Sequence, residues 1–186
     1  HKDRVAFYNN VMFNKCFPDE STHIITGEVG DKYVKLPVCA IGAKVMITSN
    51  VYIEKGAANG TIGTIVGTKT RKVTNKDIRS LHTIHVHLQD SDVTIPVMKI
   101  GFGNTGAKDR SYATAKVFPM TLSYSVTIHK AQGCTIENTV FIDITDGFCP
   151  GLLYVALSRV TNRDHIKLVR PLRPNWFKPV VIPRYD

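Results

Sequence analysis

Long hydrophobic runs are absent from this sequence of 186 residues. No apolar stretch approaches the roughly 20 residues that a membrane-spanning helix needs, and residues 1–4 do not introduce the apolar core of a signal peptide. We therefore expect a soluble chain with no membrane partner. Because the chain begins with His1 and not with Met, we also expect a piece of a longer protein.

Paired cysteines and clustered metal ligands are missing as well. The four cysteines are scattered and form no C-x-x-C pair: Cys16, Cys39, Cys134 and Cys149. This spacing suggests neither a zinc site nor a disulfide framework, so we expect reduced thiols in an intracellular protein. His85 and His87 alternate along one predicted strand without an acidic or cysteine ligand at metal-binding spacing. No metal site is therefore predicted.

Common enzyme motifs are also absent. The sequence contains no phosphate-binding loop of the form G-x-x-x-x-G-K-[ST], no G-x-S-x-G and no H-E-x-x-H. Gly101-Phe-Gly103 lies in a β-rich region and does not open a helix, as a dinucleotide-binding loop would. The chain thus has no motif that would break a phosphoanhydride bond unaided.

Positive charge is abundant and unevenly distributed. The composition is that of a globular protein, with 43% hydrophobic and 21% charged residues, and the net charge is +9. Residues 32–117 hold 13 of the 24 Lys and Arg but 5 of the 15 Asp and Glu. Such an excess favours phosphate backbones or acidic surfaces. It equally fits a solvated loop, and charge alone does not choose; the cations in question are Lys69, Arg71, Lys72, Lys76 and Arg79.

The first two thirds of the chain predict one helix followed by a β-rich block. Val5, Tyr8 and Met12 share one face of an amphipathic helix that runs from Asp3 to about Lys15. Residues 17–35 lose periodicity and predict a loop. Short runs rich in Val, Ile and Thr then predict strands at 44–49, 61–68, 81–89 and 93–97, with a turn at Asn59-Gly60. These strands suggest a small barrel or twisted sheet.

The remainder predicts alternating strands and helices. Strands are expected at 120–124, 139–144 and 165–169, and a helix at 151–160. This alternation implies a parallel sheet covered by helices, so an α/β part is split by a β insertion. Four prolines then predict an extended strap: Pro171, Pro174, Pro179 and Pro183.

Two segments could carry chemistry. The polar stretch from Thr127 to Thr135 lies between two apolar strands, where the loops of α/β sheets bind anions. Taken alone, however, the stretch favours a solvated turn with a buried His129. The apolar helix near Leu153 ends at Arg159, whose permanent charge suits a phosphate. The alternative is an Arg that interacts with the helix dipole or with an acid such as Asp164.

These segments resemble the superfamily 1B DNA helicases of the petite-integration-frequency type, including relatives carried by Helitron transposons. His1-Lys-Asp3 with Val5 and Asn9 is similar to the family's motif IV region. Gly42-Ala-Lys-Val-Met46 followed by Asn59-Gly60-Thr-Ile-Gly63 is similar to the start of its inserted SH3-like barrel, domain 2B. Phe118-Pro119 with Thr127-Ile-His-Lys-Ala-Gln-Gly133 resembles motif V, and Tyr154-Val-Ala-Leu-Ser-Arg159 resembles motif VI.

The resemblance implies an α/β fold: a second RecA-like motor domain interrupted by a small SH3-like β-barrel. Residues 1–36 would begin the RecA-like domain 2A, and residues 37–117 would form the inserted domain 2B. Residues 118–170 would complete domain 2A with motifs V and VI, and residues 171–186 would form the proline-rich strap. The family often has polar residues where this chain has Ala115, Val117 and Leu152.

The resemblance also implies roles for individual residues. Thr127, His129 and Lys130 would approach single-stranded DNA. Gln132, Gly133 and Thr135 would lie on the nucleotide side of motif V. Arg159 would be the catalytic arginine finger, reaching the γ-phosphate of ATP. ATP and Mg²⁺ would be bound mainly by the first RecA-like domain of the same parent protein, which this chain lacks.

The expected function is therefore the C-terminal portion of an ATP-dependent 5′-to-3′ DNA helicase that cannot hydrolyse ATP alone. In a eukaryote the family would place it in the nucleus or mitochondrion. An alternative is a stand-alone nucleic-acid-binding or protein-interaction module derived from a helicase. A further alternative is that the basic block serves RNA.

Overall fold

The computed structural model describes residues 2–25, 27–28, 38–72, 79–102, 115–144 and 151–174. The chain divides into two compact units, residues 1–125 and residues 126–186. The fold is mixed α/β. Its helices are α1 (Lys2–Cys16) and α2 (Leu152–Leu157), and its strands are β1 (Ile24–Ile25), β2 (Gly27–Glu28), β3 (Val38–Cys39), β4 (Lys44–Ile47), β5 (Ile62–Lys72), β6 (Arg79–Leu88), β7 (Thr94–Met98), β8 (Ile100–Phe102), β9 (Ala115–Val117), β10 (Met120–Leu122), β11 (Val140–Ile142) and β12 (Ile166–Leu168).

Helix α1 confirms the predicted helix but turns a different face inward. Asp3 in its first turn and Lys15 in its last complement the helix dipole. The buried side chains are Asn9 and Phe13, whereas Tyr8 and Met12 of the predicted apolar face are 38% and 39% exposed. Since the ring of Phe13 packs against neighbouring aromatic rings within its own unit, the side of the helix that carries it is the side that becomes buried.

A five-stranded antiparallel sheet forms the centre of the first unit, with strand order β10-β4-β5-β6-β7. It confirms the predicted β-rich block. Alternate residues of its strands point into one core, and each such side chain contributes roughly 1.5–3 kcal/mol when fully buried. That core includes Val45, Ile47, Ile65, Ile84, Val86, Ile95, Val97 and Phe118.

Two smaller sheets complete the pairing in the described part of the first unit. Strand β1 pairs with β3, and β9 pairs with both β2 and β8, all antiparallel. Residues 17–35 were predicted as a loop, so the short strands β1 and β2 correct that expectation as far as residues 24–28 are described. Cys39 in β3 is buried, which raises the pKa of its thiol to about 12 and keeps it protonated.

The turn predicted at Asn59-Gly60 is present but is not a two-residue hairpin. Gly60 has a φ of +101°, and its N–H donates to the carbonyl of Ile47 at 2.8 Å. A 3₁₀ turn at Ile53–Lys55 lies in the same connection between β4 and β5. The positive φ explains the glycine at this position.

Strand β10 lies in a different sheet from the one predicted. The sequence pattern assigned residues 120–124 to the parallel α/β part, but Met120 pairs antiparallel with Ile47 of β4. The physical reason is the preceding Phe118, which is 2% exposed in the core of the first unit and brings the next strand to that sheet. The domain boundary at residues 117 and 118, drawn from the resemblance, stays a prediction.

The second unit contains the parallel pairing that the sequence predicts. Strands β11 and β12 are parallel, with Val140 opposite Ile166. Helix α2 buries Leu153 and Ala156 in a cluster with Ile142 and Ile144. Residues 171–173 are without regular structure, and most of the predicted proline-rich strap, residues 175–186, lies outside the described residues.

No helix in the described ranges is long and apolar enough to cross a bilayer. The same ranges contain no cluster of three or more His, Cys, Asp or Glu side chains that could hold a metal ion. Three of the four cysteines are described, and Cys16, Cys39 and Cys134 are all free.

Candidate functional site

The polar segment 127–133 folds as a series of tight turns on the second unit. The amide groups of Lys130 and Ala131 both donate to the carbonyl of Thr127, at 2.9 and 3.1 Å. The hydroxyl of Thr127 also accepts from the Lys130 amide at 3.4 Å. Thr127 therefore begins the turns in the manner of a helix cap.

The hydrogen bonds between residues three apart align side chains in pairs along these turns. Cys134 donates to the carbonyl of Ala131 at 3.1 Å, and Gln132 donates to that of His129 at 3.4 Å. In such 3₁₀-type geometry residues i and i+3 lie one above the other. Thr127 is thereby aligned with Lys130, and His129 with Gln132, as the spacing predicts.

Two apolar residues anchor the turns to the core of the second unit. Ala131 is 8% exposed, and Ile128 packs against the cluster that contains Ile142 and Leu153. His129 and Lys130 are exposed, as is Gln132. The segment therefore has an inner apolar side and an outer side that presents a cation, an imidazole and an amide.

Gly133 ends the turns with a φ of +84°. A side chain at this position would meet no atom within 4 Å, so space does not require glycine. The left-handed backbone does, since residues with a Cβ adopt it only at a cost.

Backbone hydrogen bonds join the end of this segment to the end of helix α2. The amide of Ile136 donates to the carbonyl of Arg159 at 2.8 Å, and that of Thr161 donates to the carbonyl of Ile136 at 3.3 Å. Ile136 and Val160 thus form a parallel bridge. Thr135 and Arg159 are thereby held next to this bridge on one unit.

The guanidinium of Arg159 folds back on the last turn of its own helix. Its Nε donates to the carbonyl of Val155 at 3.2 Å, and its Nη2 donates to the hydroxyl of Ser158 at 2.9 Å. These contacts resemble the helix-terminal alternative that the sequence left open. The acid named in that alternative, Asp164, instead lies 3.8 Å from Arg163.

Those contacts leave most of the guanidinium available. An arginine side chain has five N–H donors, and within the described part of the chain two of the five in Arg159 are used. The residue is only half-buried. Its own helix therefore fixes the orientation of the charge and leaves three donors for an external anion.

Helix α2 also exposes an aromatic residue that the sequence reasoning did not assign to the site. Tyr154 is 74% exposed, on the side of the helix away from the buried Leu153 and Ala156. The resemblance included Tyr154 in motif VI without giving it a role. Helical periodicity alone predicts that Tyr154 is exposed, because it follows the buried Leu153 by one position.

Asn9 of α1 is a second residue whose importance sequence reasoning missed. It is 6% exposed, and its side-chain amide pairs with the backbone of Ser125: Nδ2 donates to the carbonyl at 2.9 Å, and Oδ1 accepts from the N–H at 2.8 Å. Ser125 directly precedes Val126, where the chain enters the second unit. In the sequence Asn9 is notable only as part of the motif IV resemblance, and nothing local marks its pairing with Ser125.

Comparisons with known proteins find similar DNA helicases. No family model matches the chain. The ATP-dependent DNA helicase Pif1 of Bdellovibrio bacteriovorus is 28% identical over 159 residues, which cover 86% of this chain and 33% of the relative. The enzyme of the same name from Campylobacter jejuni is 45% identical over 64 residues, covering 34% of this chain. Mouse PIF1 is 28% identical over 129 residues, covering 69% of this chain and 18% of the relative.

Solved structures agree with these relatives. The Pif1 helicase from Bacteroides, in complex with ADP-AlF3 and single-stranded DNA, superposes with a TM-score of 0.71 at 25% identity, over 97% of this chain and 41% of that one. The chain is homologous to the Pif1 helicases. The Pif1 helicase of Candida albicans, at 21% identity and a TM-score of 0.63 over 92% of this chain, shares the fold.

The Pif1 homology confirms the family resemblance but leaves the residue roles as predictions. The chain spans a third of the Bdellovibrio relative and about two fifths of the Bacteroides structure. Within the second unit, backbone hydrogen bonds join Arg159 to Ile136, three residues after the polar segment 127–133, which we call the turn segment. Their roles in DNA or nucleotide binding stay predictions for Thr127, His129, Lys130, Gln132, Gly133, Thr135 and Arg159.

The two hydrogen bonds between Asn9 and Ser125, which we call the Asn9 clamp, predict that one substitution affects stability very differently at Asn9 and at its neighbour Asn10. In Asn9→Asp the carboxylate can still accept from the Ser125 amide, but it cannot donate to the Ser125 carbonyl and repels it. Since a buried acceptor left without its donor costs about 1–3 kcal/mol, we expect the free energy of unfolding in urea to fall by about that amount.

Asn10→Asp is the matched control, because Asn10 is exposed on the same helix and receives the same chemical change. We expect its effect to stay within about 0.5 kcal/mol. Equal losses in the two variants would show that the clamp does not contribute to stability.

Proposed function

We propose that the chain is the C-terminal portion of an ATP-dependent DNA helicase that moves 5′ to 3′. Residues 1–36 and 118–170 would form a second RecA-like motor domain, and residues 37–117 an inserted SH3-like barrel. The observation that carries the proposal is the backbone bridge at Ile136, which holds the turn segment and Arg159 on one unit. The Pif1 homology supports it.

Arg159 would act as the arginine finger on ATP held by the first motor domain of the same parent protein. Phosphoryl transfer spreads negative charge over the transferred oxygens, and a fixed donor in a dry cleft stabilises that charge. Contacts with Val155 and Ser158 pre-orient the guanidinium. The parent would use ATP with Mg²⁺, and a Bacteroides relative has been solved with ADP-AlF3.

The turn segment would connect the nucleotide to DNA. Thr127, His129 and Lys130 would contact the backbone of single-stranded DNA, and two of them are already exposed. Gln132, Gly133 and Thr135 would lie on the nucleotide side, close in sequence to the bridge at Ile136. One segment that touches both ligands allows the state of the nucleotide to bias the DNA contacts.

The chain alone would not hydrolyse ATP. Its sequence has no phosphate-binding loop, and one arginine cannot hold Mg²⁺ and the β- and γ-phosphates together. The tests of the nucleotide role therefore use the full-length parent protein.

Replacing Arg159 by alanine in the full-length parent should abolish ATP turnover and leave DNA binding intact. Arginine fingers in GTPases accelerate hydrolysis by roughly 10³ to 10⁵, so we expect a loss of at least about 10³ in kcat. The measurement is steady-state ATPase activity at saturating single-stranded DNA, with DNA affinity measured in parallel.

Arg163→Ala is the matched control for this variant. The side chain of Arg163 is 95% exposed and lies near Asp164, so its removal should leave turnover unchanged. Normal turnover in Arg159→Ala would exclude the arginine-finger role.

Replacing Lys130 by alanine should weaken binding of single-stranded DNA and reduce its salt dependence. Each lost phosphate contact on a single strand lowers the slope of log affinity against log salt by about 0.7. Fluorescence anisotropy across a salt series measures both quantities.

Lys167→Ala removes the same charge from another exposed position of the second unit and should change neither quantity. An unchanged salt slope in Lys130→Ala would place Lys130 away from the DNA.

A further inference from the structure

Strands β5 and β6 extend beyond the rest of their sheet. Strand β4 pairs with β5 only at residues 62–64, and β7 pairs with β6 only at residues 83–87. From the pair Thr70–Leu81 to the pair Lys72–Arg79, the two strands pair only with each other in the described part of the chain. We call residues 69–72 and 79–83 the distal ribbon; its innermost pair, Lys69 with Thr83, still borders β7, because Thr83 also pairs with Met98.

The distal ribbon holds much of the basic segment that the sequence analysis singled out. Its nine residues include Lys69, Arg71, Lys72 and Arg79 and no Asp or Glu. Lys69 and Arg71 are exposed. The segment was considered as a solvated loop, whereas 69–72 and 79 are strand residues; Lys76 lies outside the described residues.

The two strands stay paired to their described ends. Lys72 is directly opposite Arg79, one pair beyond Arg71 and Ser80. A two-stranded ribbon without flanking strands is only marginally stable, so a ligand bound along it would add stability.

A second feature is an irregularity within the ribbon. The register shifts between Lys69 and Thr70, so that exposed His82 is the extra residue of β6. Such bulges bend a strand and increase its twist. Lys69 and Arg71 stay on one side of β5, two residues apart, at a spacing of roughly 7 Å along the strand.

The composition of the ribbon suits a phosphate backbone better than unpaired bases. Proteins that bind single strands without sequence preference stack bases on aromatic side chains, and the ribbon contains no Phe, Tyr or Trp. It offers cations and the exposed hydroxyl of Thr70, which are typical phosphate ligands. A two-stranded ribbon also fits the major groove of duplex DNA.

We propose that the distal ribbon binds the sugar-phosphate backbone of double-stranded DNA, separately from the single strand assigned to the turn segment. The choice of DNA as the polyanion rests on the proposed function. A ribbon about 10 Å long lies along a length of duplex that carries about six phosphate charges, so the exposed Lys69 and Arg71 find partners without a defined sequence.

The test compares two double variants of the 186-residue chain. Lys69→Gln with Arg71→Gln removes two described cations of the ribbon. Lys15→Gln with Lys55→Gln removes two exposed cations elsewhere in the same unit and is the matched control. Binding of a blunt duplex and of one of its strands is measured by fluorescence anisotropy over a salt series, and thermal unfolding checks that both variants fold.

The ribbon variant should lose duplex affinity by roughly 10- to 100-fold near 0.1 M salt. Its slope of log affinity against log salt should fall by about 1.8, because each duplex phosphate contact contributes about 0.9. Its affinity for the single strand should stay within twofold, and the control should match the unmodified chain on both ligands.

Three results would overturn the inference: an unchanged duplex affinity and slope, an equal loss in the control variant, or an equal loss on the single strand. The proposed function fails by a different result, namely an unmodified chain that does not bind the single strand. If the unmodified chain binds the single strand and the ribbon variant keeps full duplex affinity, only the proposed role of the ribbon is contradicted.

Discussion

The bridge between Ile136 and the end of α2 is the constraint on which the functional interpretation depends. Two backbone hydrogen bonds at 2.8 and 3.3 Å join segments more than twenty residues apart in sequence. The apolar contact of Ile128 with the cluster that contains Leu153 joins the same two segments through the core of the second unit. Under the proposed function, these two connections are the route by which a displacement at one segment would reach the other.

Helix α2 is short, and its last turn holds the side chain of Arg159 in one orientation. Leu153 and Ala156 anchor the helix in the core of the second unit. The carbonyl of Val155 accepts from both the Ser158 hydroxyl and Arg159 Nε, and the second of these hydrogen bonds restricts the guanidinium. Pre-orientation of this kind lowers the entropy lost when the transition state forms.

Local patterns predicted both helices and seven of the twelve strands of the described residues, and missed the short strands β1, β2, β3, β8 and β9. Long-range packing decided the rest. The limits of α1 and the parallel pairing of β11 with β12 followed from periodicity, and the polar turn segment stood out between apolar strands. The aromatic contacts of Phe13 decide which face of α1 is buried. The burial of Phe118 decides which sheet β10 joins. Neither the Asn9 clamp nor the Ile136 bridge has a local signature, because both join residues distant in sequence.

The most direct test of the account compares two nucleotide affinities in the full-length parent with and without Arg159→Ala. An arginine finger stabilises the transition state more than the ground state, so binding of ADP with aluminium fluoride should weaken by roughly 10³-fold or more while binding of ADP alone stays within about twofold. An unchanged affinity for the transition-state analogue, or an equal loss for both ligands, would contradict the account.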